Sequence, residues 1–247
     1  HYVTPADVYD CLPQIAAYYA QPFGNSSVIP TYHCARQARE HGVTLMLAGD
    51  GGDELFAGNQ RYVDQQVFER YFKVPALLRG VLEGGYRALP FLRDLPVIGK
   101  GARYIDKAHM GLPDRLQAYN FLHQFAPLKV FNGDWLASVD VNEPWQAWRQ
   151  RFAEPLAGDD LQRMLYLDWK FTLADNDLVK VGSMCDLAQV EVCYPMLDNR
   201  VVDLAARVAP ATLLQDGQLR GYYKRAFATV LPAQIINKPK HGFGLPF

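Results

Sequence analysis

The clearest periodic stretch in the chain lies at 173–190. There Leu178, Val181, Cys185 and Ala188 fall at i, i+3, i+7 and i+10, which predicts one apolar helix face. Lys180 falls off that stripe and can point into a cleft or form a buried pair with an acid such as Asp177 or Asp198. Asp198 reads as the cap of a further helix over Asn199–Val208, and Tyr222–Leu231 as another short one. Near the start, Thr4-Pro5-Ala6-Asp7 opens a helix, with Thr4 as N-cap and Pro5 at the first helical position, and Pro22-Phe23-Gly24-Asn25 breaks it. Ser27 or Ile29 starts a second helix that ends at His41-Gly42, where glycine makes a natural C-cap. The apolar run after it, 43–48, reads as a buried strand that stops at Gly49. Helix followed by strand predicts the closing βα portion of a parallel sheet whose earlier strands lie upstream of His1.

Between 63 and 165 the pattern is broken by Gly84-Gly85, Pro90, Pro96, Gly99, Gly101, Pro113 and Gly133, which predicts short helices joined by loops, a helical lobe within one domain. Trp135, Trp145, Trp148 and Trp169 are expected in the core or between helices. With 247 residues and 49% apolar content, the chain can bury a sizeable core. Its net charge of −1 advertises neither a nucleic-acid nor a membrane partner, and no stretch is apolar enough to span a bilayer. The charge is uneven: residues 1–60 hold six acids against two arginines, while residues 217–247 hold five bases and no acid. A basic tail facing an acidic loop fits pyrophosphate more economically than RNA. The four cysteines (Cys11, Cys34, Cys185, Cys193) lack zinc-ligand spacing and read as buried thiols in a reducing compartment, with the cytoplasm as the expected location.

The chemistry concentrates in residues 45–62. After the strand comes a loop with three carboxylates (Asp50, Asp53, Glu54) among three glycines (Gly49, Gly51, Gly52), followed by Phe56 and Arg61. Acids on a glycine-rich turn at the carboxyl end of a strand point to a site for Mg²⁺ and phosphate oxygens, because open α/β sheets bind ligands there.

This stretch, Gly-Asp-Gly-Gly-Asp-Glu-Leu-Phe-Ala-Gly, resembles a signature of the asparagine synthetase family of glutamine-dependent, AMP-forming ligases. Two more stretches are similar to that family in the same order: Leu178-Val179-Lys180 running on to Glu191-Val192-Cys193-Tyr194-Pro195-Met196-Leu197-Asp198, and Leu231-Pro232 through Lys238-Pro239-Lys240-His241-Gly242-Phe243. The resemblance implies an α/β, predominantly helical fold: the C-terminal part of a Rossmann-like ATP pyrophosphatase domain with few parallel strands. It implies ATP and Mg²⁺ as cofactors, aspartate or another carboxylate as acceptor, and ammonia drawn from glutamine. The family's upstream S-G-G-x-D-S loop and N-terminal glutaminase cysteine are absent. The chain is therefore expected to be a C-terminal piece of a longer protein, inactive alone, with its own glutaminase domain as partner and a homodimer left open.

By the same resemblance, Asp53 is the Mg²⁺–pyrophosphate contact, and Asp50 orients the substrate amine or takes a proton from the attacking nitrogen. Arg220 stands where the family carries a pyrophosphate-holding lysine; Gly49, Gly51, Gly52, Lys180, Lys238 and Lys240 complete the nucleotide side. Glu54 is read as structural, serving the next helix start. Gly182-Ser183 and Cys193 replace charged residues of the pattern, and Gln21 and Asn25 stand where acids are frequent. These departures leave two alternatives: an amidotransferase acting on another carboxylate, and a non-catalytic relative.

Overall fold

Thr4 caps the first helix in both directions. Its hydroxyl accepts from the Asp7 N–H at 3.3 Å, and the Asp7 carboxylate accepts from the Thr4 N–H at 2.8 Å. Helix α1 runs Pro5–Tyr18 and α2 Val28–Glu40, after which Gly42 adopts a φ of +80°. Strand β1 is Leu45–Leu47, and α3 is a single turn, Gly52–Leu55. The coordinates, a computed structural model, describe residues 2–88, 96–119, 125–155 and 158–238.

Helices α4 (Gln60–Lys73), α5 (Ala76–Ala88) and α6 (Pro96–His109) follow, of 14, 13 and 14 residues. The expectation of short helices is corrected here: Gly84, Gly85, Gly99 and Gly101 lie inside α5 and α6 rather than ending them. A helical glycine costs about 1 kcal/mol, which packing of the rest of the helix offsets. Next come α7 (Gly133–Leu136), α8 (Glu143–Ala153) and α9 (Asp160–Asp168). A π-helical segment, Trp169–Asp177, leads into α10 (Leu178–Leu187). Strand β2 (Glu191–Cys193), α11 (Asn199–Arg207), α12 (Pro210–Leu213), α13 (Gly221–Ala226) and α14 (Ala233–Ile236) close the order. Asp198 caps α11 by accepting from the Arg200 N–H at 2.9 Å, as its residue type predicts.

The backbone forms two compact units, one built from residues up to Gly58 together with those from Asp168 onward, the other from Asn59–Leu167. In the first, α1, α2 and α10 pack a common core: Cys11 and Ile15, Ile29 and Ala35, Met184 and Cys185 are all buried. β1 and β2 pair in parallel with Met46 opposite Val192, and both of these side chains pack against that core. The fold is mostly helical with a small parallel sheet, an α/β chain. The strand is not buried as its composition predicts: Leu45 is 47% exposed and Leu47 71%. Successive strand residues point to opposite faces, and only the Met46 face meets helices of this unit. Two of the cysteines also depart from expectation, since Cys34 and Cys193 are exposed while Cys11 and Cys185 are buried.

The second unit is held by aromatic and buried polar contacts. Phe68 stacks on Tyr104 with centroids 4.4 Å apart, and the Arg115 guanidinium lies 4.3 Å over the Phe68 ring. That guanidinium donates to the Ala108 carbonyl at 3.1 Å and to Gln65, so its buried charge is fully engaged. Trp148 is buried and donates to the Pro113 carbonyl at 3.0 Å; Trp135, against expectation, is half exposed. None of the described helices is long and apolar enough to cross a membrane.

Candidate active site

The chain leaves β1 by a turn that only glycine can make. Gly51 has a φ of +89°, and a Cβ there would lie 2.3 Å from Leu197 Cδ2, so conformation and space both exclude a side chain. The turn passes into α3 through the Leu55 N–H to Gly51 carbonyl bond of 2.9 Å, which carries Asp53 and Glu54 on one helical turn. Gly58 then comes back against Asp53: its N–H donates to the Asp53 carbonyl at 2.8 Å, and a Cβ would meet Asp53 Oδ1 at 1.9 Å and Asp53 Cα at 2.9 Å. Gly58→Ala must therefore push the Asp53 carboxylate aside. We expect it to lower any turnover that depends on Asp53 by about 100-fold while the chain still folds, measured by steady-state kinetics beside circular dichroism.

Arg220 arrives from the far end of the sequence. Its backbone N–H donates to the Ala57 carbonyl at 3.2 Å, and it sits at φ +55°, a left-handed conformation costing a non-glycine residue roughly 1 kcal/mol. That turn aims the guanidinium at the loop, with Nε 3.2 Å from Asp53 Oδ1. Phe56 holds the same junction from below, its ring 5.4 Å from Tyr223. The result is a cleft of about 630 Å³ lined by the glycine turn, Asp50, Asp53, Glu54, Asp177, Arg220 and Tyr223. A second depression of about 580 Å³ continues past Asp53 and Arg220 to Lys224, Asn237 and Lys238.

Of the residues singled out in the sequence, Gly49, Asp50, Gly51, Gly52, Asp53 and Arg220 come together in the cleft, and Lys238 lies in the adjoining depression. Lys180 takes another position. Its ammonium, 13% exposed, donates to Asp177 Oδ1 at 2.7 Å, and Asp177 rather than Lys180 faces the cleft. Lys240 lies outside the described residues.

The sequence offers Asp177 as a partner for Lys180, and the structure makes that pair. The place of Asp177 on the cleft, and the segment that puts it there, are not legible in the sequence. The π-helix ends with the Leu178 N–H donating to the Leu173 carbonyl five residues back, and its wide turns swing Asp177 toward the loop. A helical stripe of period 3.6 carries no mark of such an expansion. Glu54 also carries more than a structural part. Burial, followed by Asp53, Asp168 and Asp177, pushes its carboxyl up to about 7, while its carbonyl accepts from Trp169 Nε1 at 3.0 Å. Burial and then Asp177 raise Asp50 as well, with Lys180 pulling the other way.

Among the described residues, no three His, Cys, Asp or Glu side chains form a cluster able to hold a metal by themselves. Mg²⁺ needs no such cage when it arrives with phosphates, since one or two carboxylates then suffice. Asp53, open to the cleft, fits that requirement.

A family model described as asparagine synthase matches residues 1–247. The chain is 24% identical to asparagine synthetase [glutamine-hydrolyzing] 1 of Bacillus subtilis (strain 168) over 99% of its own length and 37% of that protein. It is 26% identical to a putative asparagine synthetase [glutamine-hydrolyzing] of Mycobacterium tuberculosis (strain ATCC 25618 / H37Rv), covering 95% of this chain and 34% of that one. A putative asparagine synthetase [glutamine-hydrolyzing] 2 of Methanocaldococcus jannaschii is 28% identical over 78% of this chain and 36% of its own. The chain thus spans about a third of the length of these relatives. No solved structure matches it significantly. With the family model covering every residue and the acid loop, the Lys180 segment and Arg220 falling in one unit, the chain belongs to the asparagine synthase family.

Proposed function

We propose that the cleft is the phosphate side of an ATP-dependent, AMP-forming amide synthetase, with aspartate to asparagine as its default reaction. The observation that carries this reading is the Asp53–Arg220 pair, an anion and a cation set side by side at 3.2 Å on the floor of an open cleft. Departure of pyrophosphate from an adenylate asks for charge compensation rather than covalent help. Arg220 supplies a planar, permanently charged fork for the leaving oxygens. Asp53 holds Mg²⁺, which when bound neutralises phosphate charge. Asp50 orients the incoming amine and, as a carboxylate, takes its proton; burial and the neighbouring Asp177 raise its pKa and so make that carboxylate a stronger base. Lys238 extends the positive side toward the phosphates, and Lys240, by its type and place in the sequence, is assigned to the same role. The small parallel sheet with its acid loop fits the closing part of a Rossmann-like ATP pyrophosphatase domain, and the glutaminase that releases ammonia belongs to the remainder of a longer polypeptide. The isolated chain is inactive in this reading.

A second reading keeps the chemistry and changes the acceptor to another carboxylate. The replacements at Gln21, Asn25, Gly182-Ser183 and Cys193, where the family pattern carries charged residues, favour it. Pyrophosphate release by the full-length protein with Mg-ATP and ammonia, with and without aspartate, decides between them. We expect release that requires aspartate. Release indifferent to aspartate moves the assignment to another acceptor, and no release with a panel of carboxylates removes the synthetase reading.

A further inference from the structure

Helix α5 has a polar anchor toward its unit and an exposed apolar face: the Glu83 carboxylate, 14% exposed, accepts from the Tyr71 hydroxyl at 2.6 Å and lies 2.8 Å from His109 Nε2. Arg79 donates to the Val74 carbonyl at 3.1 Å and stacks its guanidinium 5.2 Å over Phe72. On the same helix Leu77 is 86%, Leu78 57% and Val81 73% exposed. Neighbouring Phe72, at the end of α4, is also exposed. An exposed apolar face of this kind marks an interaction surface.

The surrounding charge says what that is. Although the whole chain carries −1, residues 70–107 hold eight arginines and lysines against three acids, a local balance of +5. Arg70 and Lys73 lie exposed just ahead of α5, and Lys100 and Arg103 are exposed on α6. A second copy of the chain would bring this positive region against itself, since a two-fold contact matches each patch with its twin. An anionic lipid surface complements both features at once, taking the leucines and valine below the headgroups and the cations among them. We propose that the outward face of α5 docks the protein peripherally on an anionic phospholipid membrane. This stands independently of the reaction assigned to the cleft.

Flotation of the full-length protein with vesicles of equal parts phosphatidylcholine and phosphatidylglycerol tests it, beside vesicles of phosphatidylcholine alone. We expect binding to the anionic vesicles only, weakened by salt, and reduced about ten-fold in a Leu77→Gln/Val81→Gln variant. Both positions are exposed, so circular dichroism should show the fold intact. Should that variant misfold, Lys73→Gln/Lys100→Gln is expected to lower anionic-vesicle binding without touching the apolar face. Absence of binding, equal binding to neutral vesicles, or retention of binding in both variants overturns the proposal. So does a dimer by light scattering that Leu77→Gln/Val81→Gln dissolves, which would assign the face to self-association.

Discussion

Asp53→Asn is expected to lower pyrophosphate release by the full-length protein by about 1,000-fold, the upper range for removing one charged group from a preorganised site. The substitution keeps the shape of the side chain and removes the charge that both Arg220 and Mg²⁺ require. Its footprint on folding should be small. Asp53 Oδ1 meets Arg220 Nε at 3.2 Å on a partly exposed surface, and such pairs contribute roughly 0–1 kcal/mol. The informative readout is therefore a split: a collapsed rate, a lost Mg²⁺ dependence of pyrophosphate binding, and an unfolding midpoint moved by only a few degrees. If Asp53→Asn turns over like the parent, Asp53 has no part in the phosphate chemistry. Gly58→Ala serves as its positional counterpart, displacing the same carboxylate without changing its charge.

The largest effect on stability is expected at Glu54, and it should depend on pH. Its carboxyl titrates at about 7 in the folded chain against an ordinary value of 4.5. Between those two values the folded chain keeps a proton that the unfolded chain has already released. Stability therefore falls as pH rises through that window and levels off above it, by about 3 kcal/mol in all. Glu54→Gln, neutral and of the same size, should match the parent near pH 4.5, lack the slope, and be the more stable protein at pH 8. Urea unfolding of both chains across that range, in buffer containing a chelator, measures the difference. A slope that survives in Glu54→Gln would belong to another buried acid, and Asp50, raised by burial and by Asp177, is the first to examine.

These two predictions rest on features of different legibility. Asp53 stands out in the sequence because an acid on a glycine-rich turn after an apolar run has a short list of uses. Glu54 beside it looks the same on paper and differs by burial: both line the cleft, but Glu54 is 5% exposed while the Asp53 side chain is 24% exposed. Likewise Lys180 is conspicuous in the sequence, yet the structure gives the cleft to its partner Asp177.

What the sequence determined by itself is what short-range chemistry determines. Thr4 with Asp7 set the start of α1, Asp198 set the start of α11, Gly42 set the end of α2, and Gly51 set the turn that presents the acids. Each of these depends on groups within a few residues, so each can be read from residue type. The tertiary structure alone decided that β1 is uncovered on its Leu45 and Leu47 face, that α5 and α6 run through their glycines, that a π-helix delivers Asp177, and that α5 shows Leu77 and Leu78 to the outside. It alone set Arg220 beside Asp53 across more than 160 positions of sequence. Burial, and the proximity of charges distant in sequence, are properties of packing, and no local pattern of residues encodes them.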